Sequence, residues 1–359
     1  AELPEVDAIL GVRSYHAIAQ AHTDLDSNRR RSQALCYRSD VPSDALKHLQ
    51  GERRHSTGSY ASLKIAEGCS RHCTYCAIPG IRGELQSRPI AEILEDAQQL
   101  IGSGVRELIL VAQDTTSYGV DRSGQPQLTG LLRALLEFPE LKWIRILYMY
   151  ADRFTDELLD LMQTEARILP YIDLPIQHAS DAVLKRMGRP DTQTSLRQLI
   201  RKIRRTLPQV SLRTTVMVGF PGESESDVTE LLDFIAEMRF DHLGCFIYSP
   251  EEGTAAARLP HRIDPAVSAE RYARVMALQQ RIAGEMAAKH LNSIYDVLLE
   301  DVSADGLAFT GRAWFQTPEA DSRMMVYAQM ADLQIGEWYP VKIIEASPYE
   351  YTGVTSANE

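Results

Sequence analysis

The chain has 359 residues, 44% of them apolar and 24% charged, with a net charge of −11. This length points to two domains, and the balance is that of a globular protein, which excludes disordered, collagen-like and coiled-coil chains. No apolar run approaches the ~18 residues of a membrane span, and Ala1–Glu5 lacks the basic-then-apolar pattern of a signal peptide.

The opening 58 residues are locally weak, with 8 basic and 8 acidic side chains. They suggest a short helix around Tyr15 to Ala21, then a polar linker. The absence of a starting Met, together with this weak segment, reads as the tail of a domain whose core lies elsewhere. From Tyr60 a strand–helix alternation begins. Strand-like runs are Ala61–Ile65, Glu107–Val111, Trp143–Tyr148, Tyr171–Ile176, Leu212–Val218 and Leu243–Tyr248. Helical spacing marks Ile90–Ile101 and Val228–Met238, the latter behind Ser224 as N-cap. Six βα units predict a parallel sheet in an α/β domain over 59–289, too short for eight units and so a partial, open (βα)6 barrel. Asp264-Pro265 reads as a helix start, with Tyr272, Val275, Leu278, Ile282 and Met286 as one apolar stripe. After His290 the helical pattern stops. Ser293–Glu300, Leu307–Trp314, Met324–Ala328, Trp338–Ile344 and Tyr349–Val354 predict a small five-stranded β-barrel over 290–359.

The cysteines carry the chemistry. There are five, and three lie in Cys69-Ser70-Arg71-His72-Cys73-Thr74-Tyr75-Cys76. An odd, clustered set is not a disulfide framework; it indicates a metal site in a reducing, cytoplasmic compartment. The cluster follows the first strand, at the end where α/β barrels place their active-site loops. A structural zinc wants four ligands, and Cys36 and Cys245 sit in unrelated contexts. His72 could serve as the fourth, although a tight loop would struggle to point it and the flanking sulfurs inward together. A [4Fe–4S] cube held by three thiolates keeps one iron open for a substrate or cofactor, and soft thiolates favour it.

This spacing on this loop resembles the radical S-adenosylmethionine enzymes. The match extends to Cys76-Ala77-Ile78-Pro79, Arg82-Gly83, Ser87-Arg88-Pro89, Tyr171-Ile172-Asp173-Leu174-Pro175-Ile176-Gln177-His178 and Val218-Gly219-Phe220-Pro221-Gly222-Glu223. These blocks are similar to the methylthiotransferase branch, the MiaB and RimO families, and the C-terminal strands resemble their TRAM domain, an OB-like barrel. Three features resemble RimO rather than MiaB. They are the acidic run Phe246–Thr254, the segment Gly311-Arg312-Ala313 with Pro318–Asp321, and Tyr349–Gly353, in which Glu350 and Thr352 depart from the pattern.

The resemblance implies an enzyme that adds a methylthio group to the β-carbon of an aspartate in a small-subunit ribosomal protein. The alternative is a MiaB-like enzyme acting on an adenosine of tRNA. It implies S-adenosylmethionine on the open iron of a [4Fe–4S] cluster held by Cys69, Cys73 and Cys76, and an electron donor protein. Tyr75 is expected near the adenine, Gln113 and Asp114 at the methionine amine, and Arg213 at its carboxylate, unless Arg213 forms an ion pair in the barrel wall. Gln177 and His178 are placed towards the ribose or the substrate, and Gly219 and Gly222 where backbone approaches the adenine. No catalytic side chain is assigned. The family's N-terminal domain holds a second [4Fe–4S] cluster on three further cysteines, whereas only Cys36 precedes Cys69. The chain is therefore read as lacking most of that domain, with the second cluster expected in a full-length parent only. Charge gives an independent argument on substrate. From residue 290 onward there are 3 basic and 11 acidic residues. A barrel of this sign repels RNA and suits a Lys/Arg-rich protein, unless it is only a solubilising face.

Overall fold

The computed structural model describes residues 6–27, 34–37, 58–329 and 332–356. Near the start, Ala8–Leu10 pairs in parallel with Leu35–Tyr37. A 3-10 turn over Val12–Ala17 leads into a helix over Ile18–Ser27, later in the chain than the sequence suggests. The expected linker lies mostly outside the described residues.

The central sheet has six strands: β1 (Tyr60–Lys64), β2 (Glu107–Val111), β3 (Trp143–Ile146), β4 (Ile168–Asp173), β5 (Ser211–Val218) and β6 (His242–Ile247). They pair in parallel in simple sequential order, and β1 and β6 remain unpaired edges. The open six-unit barrel expected from the sequence is therefore the fold. Along β5, Leu212, Thr214, Val216 and Val218 are fully buried under the helices, while Arg213, Thr215 and Met217 are half-buried on the concave face.

The helices follow the expected local rules. Ile90–Gly102 buries Ile93, Ala97, Leu100 and Ile101, each large side chain adding about 1.5–3 kcal/mol of hydrophobic stabilisation. Ser224 caps Glu225–Met238 through a capping box with Asp227. Asp264 caps Pro265–Ala287, accepting from the Ala266 amide. Val275 and Ile282 of its stripe are buried, whereas Tyr272 is exposed. The correction has a simple cause: Arg271 and Gln279 fill the buried face instead, reaching Glu223 and the Phe240 carbonyl.

The remaining strands, β7 (Ile294–Val302), β8 (Phe309–Arg312), β9 (Met324–Tyr327), β10 (Trp338–Ala346) and β11 (Tyr351–Thr355), close into a barrel in the order β7-β8-β9-β11-β10. Its interior holds Val297, Leu299, Phe315, Met324, Val326, Val341 and Ile343.

This small barrel docks on the far side of the sheet through buried charge. Glu107, the first residue of β2, accepts from Arg145 Nε at 2.8 Å and Arg312 Nη2 at 2.7 Å, all three side chains having 0% exposure. Burial pushes the Glu107 carboxyl up, but Arg145 and Arg312 outweigh it and hold it below the usual carboxylate range. Arg145 also donates to the Trp314 carbonyl at 2.9 Å. Asp321 receives Tyr171 Oη at 2.7 Å and Arg213 Nη1 at 2.6 Å. The small barrel thus plugs the N-terminal mouth of the sheet and leaves the C-terminal mouth to the cysteines.

Candidate cluster-binding site

The cysteine loop leaves β1 through a two-residue hairpin, Ala66–Glu67 with Gln86–Ser87. Gly68 makes the corner at φ +73°, and a Cβ there would lie 2.2 Å from the Glu84 carbonyl oxygen. Only glycine passes that corner without strain. The loop is then pinned from several elements. The Cys69 amide donates to the Gly83 carbonyl at 3.0 Å, the Thr74 amide to Met187 at 2.9 Å, and the Ala256 amide to Thr74 at 2.8 Å. Arg71 bridges to Asp114 at 2.8 Å and Asp152 at 2.5 Å.

Cys69 and Cys73 are buried and Cys76 is half-buried, all as free thiols. Burial pushes Cys69 and Cys76 up, and the neighbouring sulfurs add to the rise. Such thiols keep their protons in water at neutral pH, and binding iron would displace those protons to solvent. Cys245, buried elsewhere, is pushed up to about 12 by its burial.

Beside Cys69 and Cys76 opens a cavity of about 480 Å³, lined also by Lys64, Ile78, Val111, Ala112, Gln113, Tyr148 and Tyr150. Its size and mixed lining suit a cofactor-sized ligand. Glu67 organises one wall. It accepts from Lys64 and from Arg82 Nη1 at 2.9 Å, and Gln113 Nε2 lies 3.4 Å away. Burial works to raise the Glu67 carboxyl, yet the Lys64 and Arg82 hydrogen bonds hold it below its ordinary value. Two residues at strand ends carry left-handed backbone: Tyr148 at φ +59° after β3 and Gln177 at φ +67° after β4. Such strain in non-glycine residues collects where function fixes the backbone.

A radical SAM superfamily model matches residues 63–235 and a TRAM domain model matches residues 293–355. Over 98% of this chain and 79% of theirs, the sequence is 42% identical to the ribosomal protein uS12 methylthiotransferase RimO of Lachnoclostridium phytofermentans. It is 41% identical to that of Clostridioides difficile over 98% and 78%, and 40% identical to that of Citrifermentans bemidjiense over 98% and 78%. The chain belongs to the RimO family of ribosomal protein uS12 methylthiotransferases. Among solved structures, coproporphyrinogen III oxidase from Escherichia coli, a radical SAM enzyme, shares the fold, with a TM-score of 0.50 and 14% identity over 77% of this chain and 71% of that one.

Against that family frame, the residues singled out from sequence fall into two groups. Gln113 faces the cavity with its Oε1 buried and, among the described residues, without a partner. A buried orphan acceptor is costly unless a donor arrives, and the ammonium of a bound S-adenosylmethionine is such a donor. Tyr75 packs against Val183, Met187, Phe220 and Ala256, on the motif expected to border the adenine. Gln177 sits at its strained strand end, bridging to β5.

Others are engaged elsewhere. Asp114 is buried and takes four hydrogen bonds: from the Ser117 amide at 3.0 Å, from Thr116 Oγ1 at 2.6 Å, from Ser117 Oγ and from Arg71 Nε at 2.8 Å. It positions the cysteine loop and has no lone pair left for an amine. Arg213 pairs with Asp321 of the small barrel at 2.6 Å, the wall ion pair that was the alternative expected for it. His178 is buried, with Nδ1 accepting from the Ser180 amide at 3.0 Å and Nε2 facing Glu223 Oε1 at 3.1 Å. Glu223 in turn binds Arg271 at 2.7 Å, which makes His178 part of a structural network. Gly219, at φ +74°, makes room for Ser268 of the long helix; a Cβ there would lie 2.4 Å from Ser268 Oγ. Gly222 also has positive φ, +76°.

Sequence reasoning missed Lys64, Glu67, Arg71, Tyr148, Tyr150 and Arg189. Lys64 and Tyr148 lie at or just past strand C-termini, the positions the barrel rule favours. Arg189 pairs locally with Asp191, but its contacts with the Pro175 carbonyl and the Tyr150 ring come from other loops and left no signal in the sequence.

The residues fit an iron–sulfur cluster. Cys69 and Cys76 border the cavity, Cys73 lies between them in the same loop, all three are free thiols, and His72 is exposed. Among the described residues no three His, Cys, Asp or Glu side chains converge as a single metal ion requires.

Proposed function

We propose that this chain carries the radical-generating core of an enzyme that places a methylthio group on the β-carbon of an aspartate in ribosomal protein uS12. The observation that carries the reading is the cavity beside Cys69 and Cys76, with the orphan acceptor Gln113 Oε1 in its wall. Cys69, Cys73 and Cys76 would hold a [4Fe–4S] cluster with one iron free for S-adenosylmethionine. When bound, that pair supplies one-electron cleavage of a carbon–sulfur bond and hence hydrogen-atom abstraction.

The chain's own residues then have defined tasks. Gln113 receives the ammonium group. Glu67 holds Lys64 at the cavity edge, where its ammonium can meet a carboxylate. Ile78, Val111 and Ala112 keep that wall apolar and exclude water, which would quench a carbon radical. Tyr75 and Phe220 pack the adenine side.

The small barrel sits at the opposite mouth and does not line the cavity. Its exposed acids, among them Asp301, Asp305, Glu319, Glu337 and Glu345, would gather a basic ribosomal protein at long range rather than contact its reacting residue. The same surface opposes tRNA, which needs Lys and Arg on the binding face. Reduction requires an electron donor protein. A cytoplasmic setting fits free thiols and a ribosomal substrate, and a second [4Fe–4S] cluster would belong to the family's N-terminal domain.

Cells lacking the parent gene test the reading, with mass spectrometry of uS12 and of tRNA nucleosides side by side. Loss of one methylthio increment from the uS12 aspartate is expected. Loss from a tRNA adenosine, with uS12 unchanged, would overturn the substrate assignment.

A further inference from the structure

Tyr150 lies just beyond β3 with its ring clamped between two guanidinium groups. The Arg71 carbon lies 4.6 Å from the ring centroid and the Arg189 carbon 4.3 Å. Each arginine is itself fixed. Arg71 is held by Asp114 and Asp152. The Arg189 side chain, 1% exposed, reaches Asp191 at 3.1 Å and the Pro175 carbonyl at 3.1 Å. These acids neutralise the guanidiniums, so the stack contributes rigidity more than net charge. What it holds rigid is the Tyr150 hydroxyl, 4.0 Å from Cys73 Sγ.

A free thiol could donate or accept at that contact. A sulfur bound to iron has no proton and can only accept, so the phenol must be the donor. Cys69, by contrast, receives a backbone amide, from Arg71 at 3.4 Å. The phenol donor therefore falls on Cys73.

We propose that the Arg71–Tyr150–Arg189 stack is a tuning device, which keeps the Tyr150 hydroxyl on Cys73 sulfur and so raises the reduction potential of the cluster that sulfur ligates. A hydrogen bond to a ligating sulfur withdraws negative charge. The reduced cluster carries one more electron and gains more from that withdrawal than the oxidised one. Tyr150 acts through Cys73 and is a positioning residue. The inference rests on the reading that Cys69, Cys73 and Cys76 hold a [4Fe–4S] cluster.

The test uses the chain reconstituted anaerobically with iron and sulfide, without S-adenosylmethionine. The midpoint is read by electron paramagnetic resonance during titration with dithionite and mediators. Tyr150→Phe keeps the ring and both guanidinium contacts and removes only the hydroxyl. The midpoint should fall, with the reduced-to-oxidised ratio at fixed potential dropping roughly tenfold, equal to about 59 mV. Arg189→Met keeps the hydroxyl but frees the ring, and should move the midpoint the same way by less. An unchanged midpoint in Tyr150→Phe would overturn the proposal. So would a Tyr150→Phe protein that takes up no iron, since Tyr150 would then serve assembly. A wild-type chain that takes up no cluster would instead remove the reading beneath it.

Discussion

Replacing Glu107 by glutamine tests what holds the small barrel to the sheet. The substitution keeps the shape and removes one buried charge. In the native protein Glu107 receives Arg145 at 2.8 Å and Arg312 at 2.7 Å. Arg312 retains Glu300 at 2.7 Å. Among the described residues Arg145 loses its only carboxylate while staying fully buried. Each hydrogen bond to a charged group contributes about 1.5–3 kcal/mol, and removing one partner of a buried pair costs about 3–5 kcal/mol. A loss of about 4 kcal/mol is the central expectation. With a urea slope near ~3 kcal/mol/M, the unfolding midpoint falls by roughly 1 M. Because Glu107 begins β2 and Val111 ends it beside the cavity, about 13 Å away at 3.3 Å per residue, the absorbance of a reconstituted cluster stays unchanged. Replacing Glu107, Arg145, Arg312 and Glu300 together by apolar residues of similar volume should recover most of the loss, since no member of the network is then left as a stranded buried charge. A Glu107→Gln midpoint within roughly 0.2 M of wild type would refute the claim that this network carries the domain contact.

Two further substitutions probe other parts of the fold. Gly219→Ala adds a Cβ at φ +74°, 2.4 Å from Ser268 Oγ. The expected cost is about 2–4 kcal/mol of stability, from left-handed strain plus overpacking. Gly219→Ala combined with Ser268→Gly should recover the packing part alone, as read by thermal unfolding. His290 stacks on Phe315 at 4.1 Å, and its burial, with help from His242 and Lys289, pushes it down to about 4 from an unfolded 6.5. Between those values the unfolded chain binds a proton that the folded chain refuses. Stability is therefore full above pH 6.5 and declines towards pH 4, by about 3 kcal/mol at most. His290→Gln should flatten that slope in urea midpoints measured across the window; an unaltered slope would assign the pH dependence to other groups.

Local chemistry explains how much of the protein can be read without its structure. Strands β1 to β11 were legible because apolar and β-branched runs alternate with glycine, proline and capping residues, as at Ser224 and Asp264. The three cysteines were legible because their ligand spacing lies within one short loop. Gln113 was legible because it follows a strand in a barrel whose active end is known in advance. The folded chain alone decided the rest. Arg213 looked free to meet a cofactor until the small barrel brought Asp321 to it across 108 positions of sequence. Asp114 looked available until Arg71, Thr116 and Ser117 took its oxygens. Tyr150 and its stack with Arg189 gave no signal, since the partners converge from separate loops. Short-range rules govern which elements form. Which charges neutralise one another depends on contacts between elements, and a buried charge takes whichever partner the fold brings within hydrogen-bond reach.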